Sequence, residues 1–376
     1  MNIFRPLFPR PALVEALIGD LAGESLADYR SGLFLASARG TGKTTFIKNE
    51  FIARCRDRSW LPVYVDLEAT RHLDPAVCLA DAIGRALGAF AAPVRSVHTS
   101  NPAHAPQPPS VPTTVAQLLE ALHRVSRQRL VLIIDEAHYV LHSANGMSLM
   151  FALKAARDHL NLHRDADGLR LVFTGSSHDK LTQLLNTAKQ PFYGAHLTPF
   201  PLLDDDYIAF ITETCNRRLA LSNQFSRTEV AEAFAWVGHR PALLHSVMAE
   251  AAVGLGQASH LGALLQRGDL DHLPGAWSDY ERRFQALSPL QQAVLRVLAK
   301  KTFSRQAFAP FSEQTLEEVT SQLLVHGSAA KASAPGLQKA LAALRHKDLL
   351  WRNSVGQYAL EDAAMAEWLL KQPRPD

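Results

Sequence analysis

The segment Leu33-Phe34-Leu35-Ala36-Ser37-Ala38-Arg39-Gly40-Thr41-Gly42-Lys43-Thr44-Thr45-Phe46 constrains this chain more than any other. It reads as a buried strand, a loop of mostly small residues, and a helix that opens at the lysine. Gly40 and Gly42 let backbone amides turn inward at a helix N-terminus, where the helix dipole also favours an anion. The pattern GxxxxGK[ST] of a phosphate-binding loop is met by Gly42, Lys43 and Thr44, with Ser37 in place of the leading glycine. Ala38, Arg39, Thr41 and Thr45 complete the predicted cradle for ATP. Lys43 is expected to reach the β and γ phosphates, and Thr44 to offer its hydroxyl to Mg²⁺.

Further apolar runs lie between helical patterns at Pro62–Asp66, Leu130–Asp135 and Leu171–Thr174, with a fifth strand expected at Ala195–Leu197. Strands apolar on both faces and separated by helix-length segments predict an α/β core with a parallel five-stranded sheet. The run ending at Asp135-Glu136 suits hydrolysis: Asp135 for the Mg²⁺ shell and Glu136 as the base for the attacking water. Asp135-Glu136-Ala137-His138 has the look of a helicase string. A two-lobed helicase needs a second α/β half, however, and none follows Leu203. His138 and His142 lie four apart, but no third ligand type clusters with them in the sequence.

Thr174-Gly175-Ser176-Ser177 ends another strand, and two roles remain open for it. The hydroxyls, Ser176 among them, are placed to sense the γ phosphate or the attacking water, or they cap the helix that follows from Asp179.

Pro93 to Pro112 holds six prolines and no acidic residue, and reads as a flexible surface insertion between helices at about 75–90 and 114–127. After Leu203 the strand signals stop. Ser226-Arg227-Thr228-Glu229 has capping-box spacing and Gly238 can end that helix. From Ser288-Pro289 three helices precede two short strands around Asn353-Ser354-Val355-Gly356, the pattern of a winged helix-turn-helix. The expected units are a core at 1–203, a helical lid at 204–278 and a winged helix at 279–376.

At this point the chain resembles the P-loop ATPases of the AAA+ and STAND type, and is most similar to the archaeal-ATPase-like and origin-recognition-like branch. The likeness rests on Gly40–Thr45, Ile134–His138, Thr174–Ser177 and Gly238-His239-Arg240-Pro241. Phe8-Pro9-Arg10-Pro11-Ala12-Leu13 adds to it, being similar to a segment that lies along the adenine in that family. The resemblance implies that Arg10 borders the base, that Arg240 is a sensor arginine for the γ phosphate, and that Pro241 is the lid-motif proline. Pro191-Phe192-Tyr193-Gly194-Ala195 departs from the family pattern, because Ala195 stands where an arginine is usual. Slow or partner-activated hydrolysis is the expectation.

Net charge is +3 and unevenly spread: Lys+Arg number 13 against 9 Asp+Glu in residues 281–376. Gln338, Lys339, Arg345, Lys347 and Arg352 are the candidate contacts to duplex DNA. The competing reading makes the winged helix a docking module for a protein partner, with a homo-oligomer also in view. No apolar run approaches a membrane span, and the three cysteines, Cys55, Cys78 and Cys215, are too scattered for a disulfide framework. No membrane association and a cytoplasmic location are expected.

Overall fold

Five strands form one parallel sheet: β1 (Leu33–Ala36), β2 (Leu61–Asp66), β3 (Leu130–Asp135), β4 (Leu169–Gly175) and β5 (Leu197–Pro199), in the spatial order β2-β3-β4-β1-β5. The computed structural model describes residues 6–24, 29–90, 114–162, 168–186, 188–253, 276–304, 306–352 and 356–371. The proline-rich segment 93–112, the lid stretch 254–275 and the wing residues 353–355 therefore lie outside the described residues.

Strand alternation decides which helices cover which face. Phe34, Leu132, Ile134, Leu171 and Phe173 pack with α4 (Pro75–Phe90), α5 (Val115–Ser126) and α6 (Gly146–Leu160). Leu33, Leu35, Val131, Ile133 and Val172 pack with α1 (Pro11–Ala22) and with the helix after the phosphate loop. That helix is α2 (Lys43–Phe46), which runs through a π turn at Ile47–Phe51 into α3 (Ile52–Asp57). Burial on both faces explains the unbroken apolar runs of β1 and β3. β5 begins two residues later than its sequence suggests. The Ala195 N–H is turned back to Phe192 O at 3.0 Å, so the chain reaches the sheet only at Leu197.

Beyond the sheet, α8 (Asp205–Asn216), α9 (Arg227–Trp236) and α10 (Pro241–Val253) share a core of Tyr207, Ile211, Phe234, Leu244 and Met248. The Ser226/Glu229 capping box starts α9, as the spacing predicts. A last unit contains α11 (Ala276–Gln285), α12 (Pro289–Phe303), α13 (Glu313–Val325), α14 (Ala334–His346), the antiparallel pair β6 (Leu350–Arg352) and β7 (Tyr358–Leu360), and α15 (Ala364–Lys371). Helices α11 and α15 add to the pattern legible in the sequence. They meet through Trp368, which is buried against the rings of Tyr280 and Phe284.

Three sets of contacts tie the units together. The Glu361 carboxylate, just past β7, accepts the backbone N–H groups of His178 and Asp179 at the start of α7 (His178–Thr182), and His178 Nδ1 lies 3.1 Å from it. Arg345 forks onto Asp179 Oδ1 at 2.9 and 2.7 Å, and Trp351 stacks on the His178 ring. From the turn between α9 and α10, Arg240 pairs with Asp362 at 2.9 Å and His239 with Glu367 at 3.1 Å.

Phe192 anchors the segment that departs from the family pattern. Its ring lies 5.4 Å from Phe34 and 4.9 Å from Phe173, which stack on each other at 4.5 Å, and it is fully buried. Phe192→Ala should lower the unfolding free energy by about 3–5 kcal/mol in urea denaturation. A loss below about 1 kcal/mol would show that the segment is not anchored by this ring.

Candidate nucleotide site

The loop between β1 and α2 is built around two residues that need a left-handed backbone, Gly40 (φ 84°) and Gly42 (φ 95°). Ser37, which replaces the leading glycine, is buried beneath the loop. Its N–H donates to Gly175 O at 3.2 Å, extending β1 along β4, and its Oγ lies 2.9 Å from the Thr41 hydroxyl. Thr41 is also 2.9 Å from Ala38 O, so the Ser37 side chain supports the loop from below. Lys43 is nearly enclosed, and burial lowers the pKa of its ammonium while Glu136 and Asp135 oppose that shift. Its Nζ lies 3.4 Å from Glu136 Oε1.

Asp135 ends β3 with its carboxylate almost wholly buried. Thr44 Oγ1 donates to its Oδ2 at 2.7 Å, and the Tyr64 hydroxyl donates to the same oxygen at 2.8 Å. Thr174 Oγ1 and the Glu136 N–H donate to Oδ1. Burial pushes the Tyr64 phenol far above its ordinary range, reinforced by the Asp135 charge, so it remains a proton donor. The convergence of Thr44 and Asp135 is an all-oxygen set suited to a hard cation such as Mg²⁺. Asp66, at the end of β2, uses Oδ1 to hold the N–H groups of Glu68 and Ala69 in its own turn.

Glu136 has φ +53°, an uncommon conformation for a residue with a side chain, which points to a functional constraint. Its Oε2 accepts both the N–H and the hydroxyl of Ser176 at 2.8 Å. His138 Nδ1 is 3.3 Å from the same oxygen without a hydrogen bond, and burial lowers the ring pKa to about 4. His142 sits edge-on against the Tyr139 ring. The hydroxyl cluster at the end of β4 thus divides its work: Thr174 serves Asp135, Ser176 serves Glu136, and Ser177 caps α7 by accepting from Lys180 N–H. Ser176 is directed at the candidate base, Glu136.

Two cavities meet at Thr41, Gly42, Thr45, Pro241 and Ala242. The first, about 300 Å³, is lined by the phosphate loop, Asp135 and Glu136. The second, about 410 Å³, is bounded by Phe8, Arg10, Phe46, Glu50, Tyr207 and His245, and its apolar walls suit a nucleobase. Arg10 borders it, but its guanidinium is turned outward to Pro201 O and the Phe200 ring, while its N–H donates to Glu50. Arg240 lies across the loop. Its Nε donates to Arg39 O at 3.1 Å, and a Cβ on Gly40 would come within 3.4 Å of its Cδ. The Arg39 guanidinium turns away to Glu68.

Sequence reasoning missed Tyr64, Asp362 and the Tyr207–His245 pair, none of which stands in a recognisable string. The five candidate DNA contacts part company. Gln338 and Lys339 are exposed on α14, and Arg345 is bound to Asp179 of the core. Lys347 Nζ is 3.4 Å from Ala286 O, and Arg352 lies over the Tyr358 ring.

The depressed pKa of His138 has a defined sign. The unfolded chain binds a proton near the ordinary value of 6.5 and the folded one only near 4, so stability falls as pH drops through that window. His138→Gln should remove part of this loss, on the order of 1–3 kcal/mol between pH 7 and 4. Urea midpoints of both proteins across that range are the check, and parallel curves would place the His138 ring in contact with solvent.

Residues 27–185 match the family described as AAA domain. No curated protein sequence is significantly similar to this one. Among solved structures, the chain is similar to a Walker-type ATPase of Pyrococcus abyssi, with a TM-score of 0.56 and 18% identity over 98% of this chain and 100% of that one. It is also similar to the ORC2 protein of Aeropyrum pernix in ADPNP–ADP complexes, with a TM-score of 0.53 and 16% identity over 98% and 96% of the two chains. At these identities the likeness is one of fold, and it extends along both chains. Residues 27–185 thus carry the match to the AAA domain family, and the chain has an α/β P-loop fold shared along its length with these two solved structures.

Proposed function

We propose that this chain binds ATP with Mg²⁺, hydrolyses it slowly, and uses nucleotide state to set the positions of its lid and winged helix. The observation that carries this reading is Arg240, which reaches the phosphate loop through Arg39 O and the C-terminal unit through Asp362 at the same time. A γ phosphate entering beside Gly40 competes with the Asp362 carboxylate for that guanidinium, so ligand charge is converted into a choice of partner. Pro241 and Ala242, which line both cavities, move with it.

The chemistry follows from the exchange of partners at Lys43. Polyphosphate draws the buried ammonium away from Glu136, leaving one carboxylate oxygen free to take a proton from water. The water oxygen then bonds to the γ phosphorus, the bond to the β-phosphate oxygen breaks, and ADP and phosphate leave. Thr44 and Asp135 would hold Mg²⁺, which would supply neutralising charge to the polyphosphate. Ser176 keeps Glu136 oriented through its other oxygen. Ala195 offers no guanidinium to the departing charge, so turnover is expected to be slow unless a neighbouring chain or partner supplies one.

Duplex DNA is the partner favoured for the C-terminal unit, through the exposed Gln338 and Lys339 and the locally positive charge. A second reading, an intramolecular clamp or a protein-docking module, is favoured by Arg345 and Trp351, which are engaged with α7 of the core. The two readings separate on Asp179→Ala, which releases Arg345. Duplex affinity should then rise severalfold and show a steeper salt slope. Weak, salt-insensitive binding in both proteins would leave the protein-docking reading in place.

Two substitutions test the site. Lys43→Ala should abolish tight binding of a fluorescent ATP analogue. Glu136→Gln should bind it like the wild type and lose turnover by about 10²–10⁴-fold. Unchanged binding in the first variant would mean that Lys43 does not hold the phosphates, and wild-type turnover in the second that Glu136 is not the base.

A further inference from the structure

We propose that Tyr64 is a positioning residue for the Mg²⁺ site, a phenol donor that fixes the orientation of Asp135. The inference rests on the nucleotide reading of the site and adds a residue that no phosphate-loop motif contains.

A buried carboxylate has about four lone-pair directions, and an unfilled one is costly. At Asp135 each oxygen takes two donors: Thr44 and Tyr64 on Oδ2, Thr174 and the Glu136 N–H on Oδ1. Three of these come from the expected machinery, namely the phosphate-loop helix, the end of β4 and the neighbouring backbone. Tyr64 alone comes from β2, the outer strand beside β3, where it is paired in register with Ile133. Its side chain runs along the face shared with the phosphate-loop helix and brings its hydroxyl to the end of β3.

The ring is itself held. Lys48, within the π turn of the phosphate-loop helix, places its ammonium 4.8 Å from the Tyr64 ring centroid. A cation over the ring withdraws electron density from the phenol and makes it a stronger donor. Tyr64 therefore connects the same helix that carries Lys43 and Thr44 to the carboxylate at the strand end.

Asp135 and Thr44 would hold the cation, and the donors around the carboxylate fix the direction in which it faces. Outer partners of this kind set the direction and basicity of the group they hold, and their removal typically costs 10–100-fold in metal affinity. Tyr64→Phe keeps the ring and its contact with Lys48 and deletes only the hydroxyl.

The experiment is equilibrium binding of a fluorescent ATP analogue to wild type and Tyr64→Phe, first in EDTA and then across a Mg²⁺ titration. Affinity in EDTA should agree within about twofold. The Mg²⁺ concentration that half-maximally tightens binding should rise about tenfold in the variant. Mn²⁺ electron paramagnetic resonance in the presence of ADP should show the same weakening without reference to turnover. An unshifted Mg²⁺ midpoint, or equal weakening with and without Mg²⁺, would overturn the proposal, the second by exposing a merely structural effect. If wild-type binding is insensitive to Mg²⁺ while Lys43→Ala still abolishes it, the metal site and this proposal fall together and the nucleotide site stands. If the wild type binds no nucleotide at all, the whole reading falls.

Discussion

The burial of one carboxylate organises the site. Asp135 lies at the end of a strand buried along its whole length, and an ionised group there is tolerable only if every oxygen is met by a donor. The donors come from the phosphate-loop helix, from β2, from β4 and from the adjoining backbone, so the relative heights of three strands are set at this point. The sheet order β2-β3-β4-β1-β5 makes that possible. It sets β2 and β4 on either side of β3 and brings the β1 loop across the top of β4.

A second balance concerns Lys43 and Glu136, opposite charges in a nearly enclosed space. Their separation of 3.4 Å is long for a strong ion pair, and Glu136 has a firmer hold on Ser176. The glutamate is thus held more firmly by Ser176 than by the lysine. The π turn after Lys43 bears on both ends of this groove. It carries Lys48, which faces the Tyr64 ring, and Glu50, which receives the Arg10 N–H beside the larger cavity.

Much of this is legible in the sequence, for identifiable reasons. The phosphate loop, the Asp135-Glu136 pair and the Thr174–Ser177 cluster are local strings, and each is placed by the strand that ends beside it. The capping box at Ser226 is local as well. What escapes a reading of the sequence depends on register between distant segments. Tyr64 looks like one more β-prone residue in an apolar run, and only its pairing beside Ile133 brings its hydroxyl to Asp135. Asp362 and Glu361 belong to a short acidic step after a strand, and nothing in the surrounding residues indicates that they reach Arg240 and His178. The place of Arg345 on its helix suggests a DNA contact, but helical position is blind to the presence of Asp179 across the unit boundary.

Glu361 and Asp362 also complete a circuit. The core meets the C-terminal unit at Glu361, the C-terminal unit meets the α8–α10 unit at Asp362 and Glu367, and that unit returns to the core where Arg240 touches Arg39 O. The two carboxylates are adjacent on a backbone held by the Glu361 N–H to Leu349 O bond, so neither can shift much without carrying the other. Three bodies joined in a closed triangle have fewer independent hinges than three joined in a row. Opening any one side strains the remaining two, and such an assembly tends to release as a unit rather than by degrees.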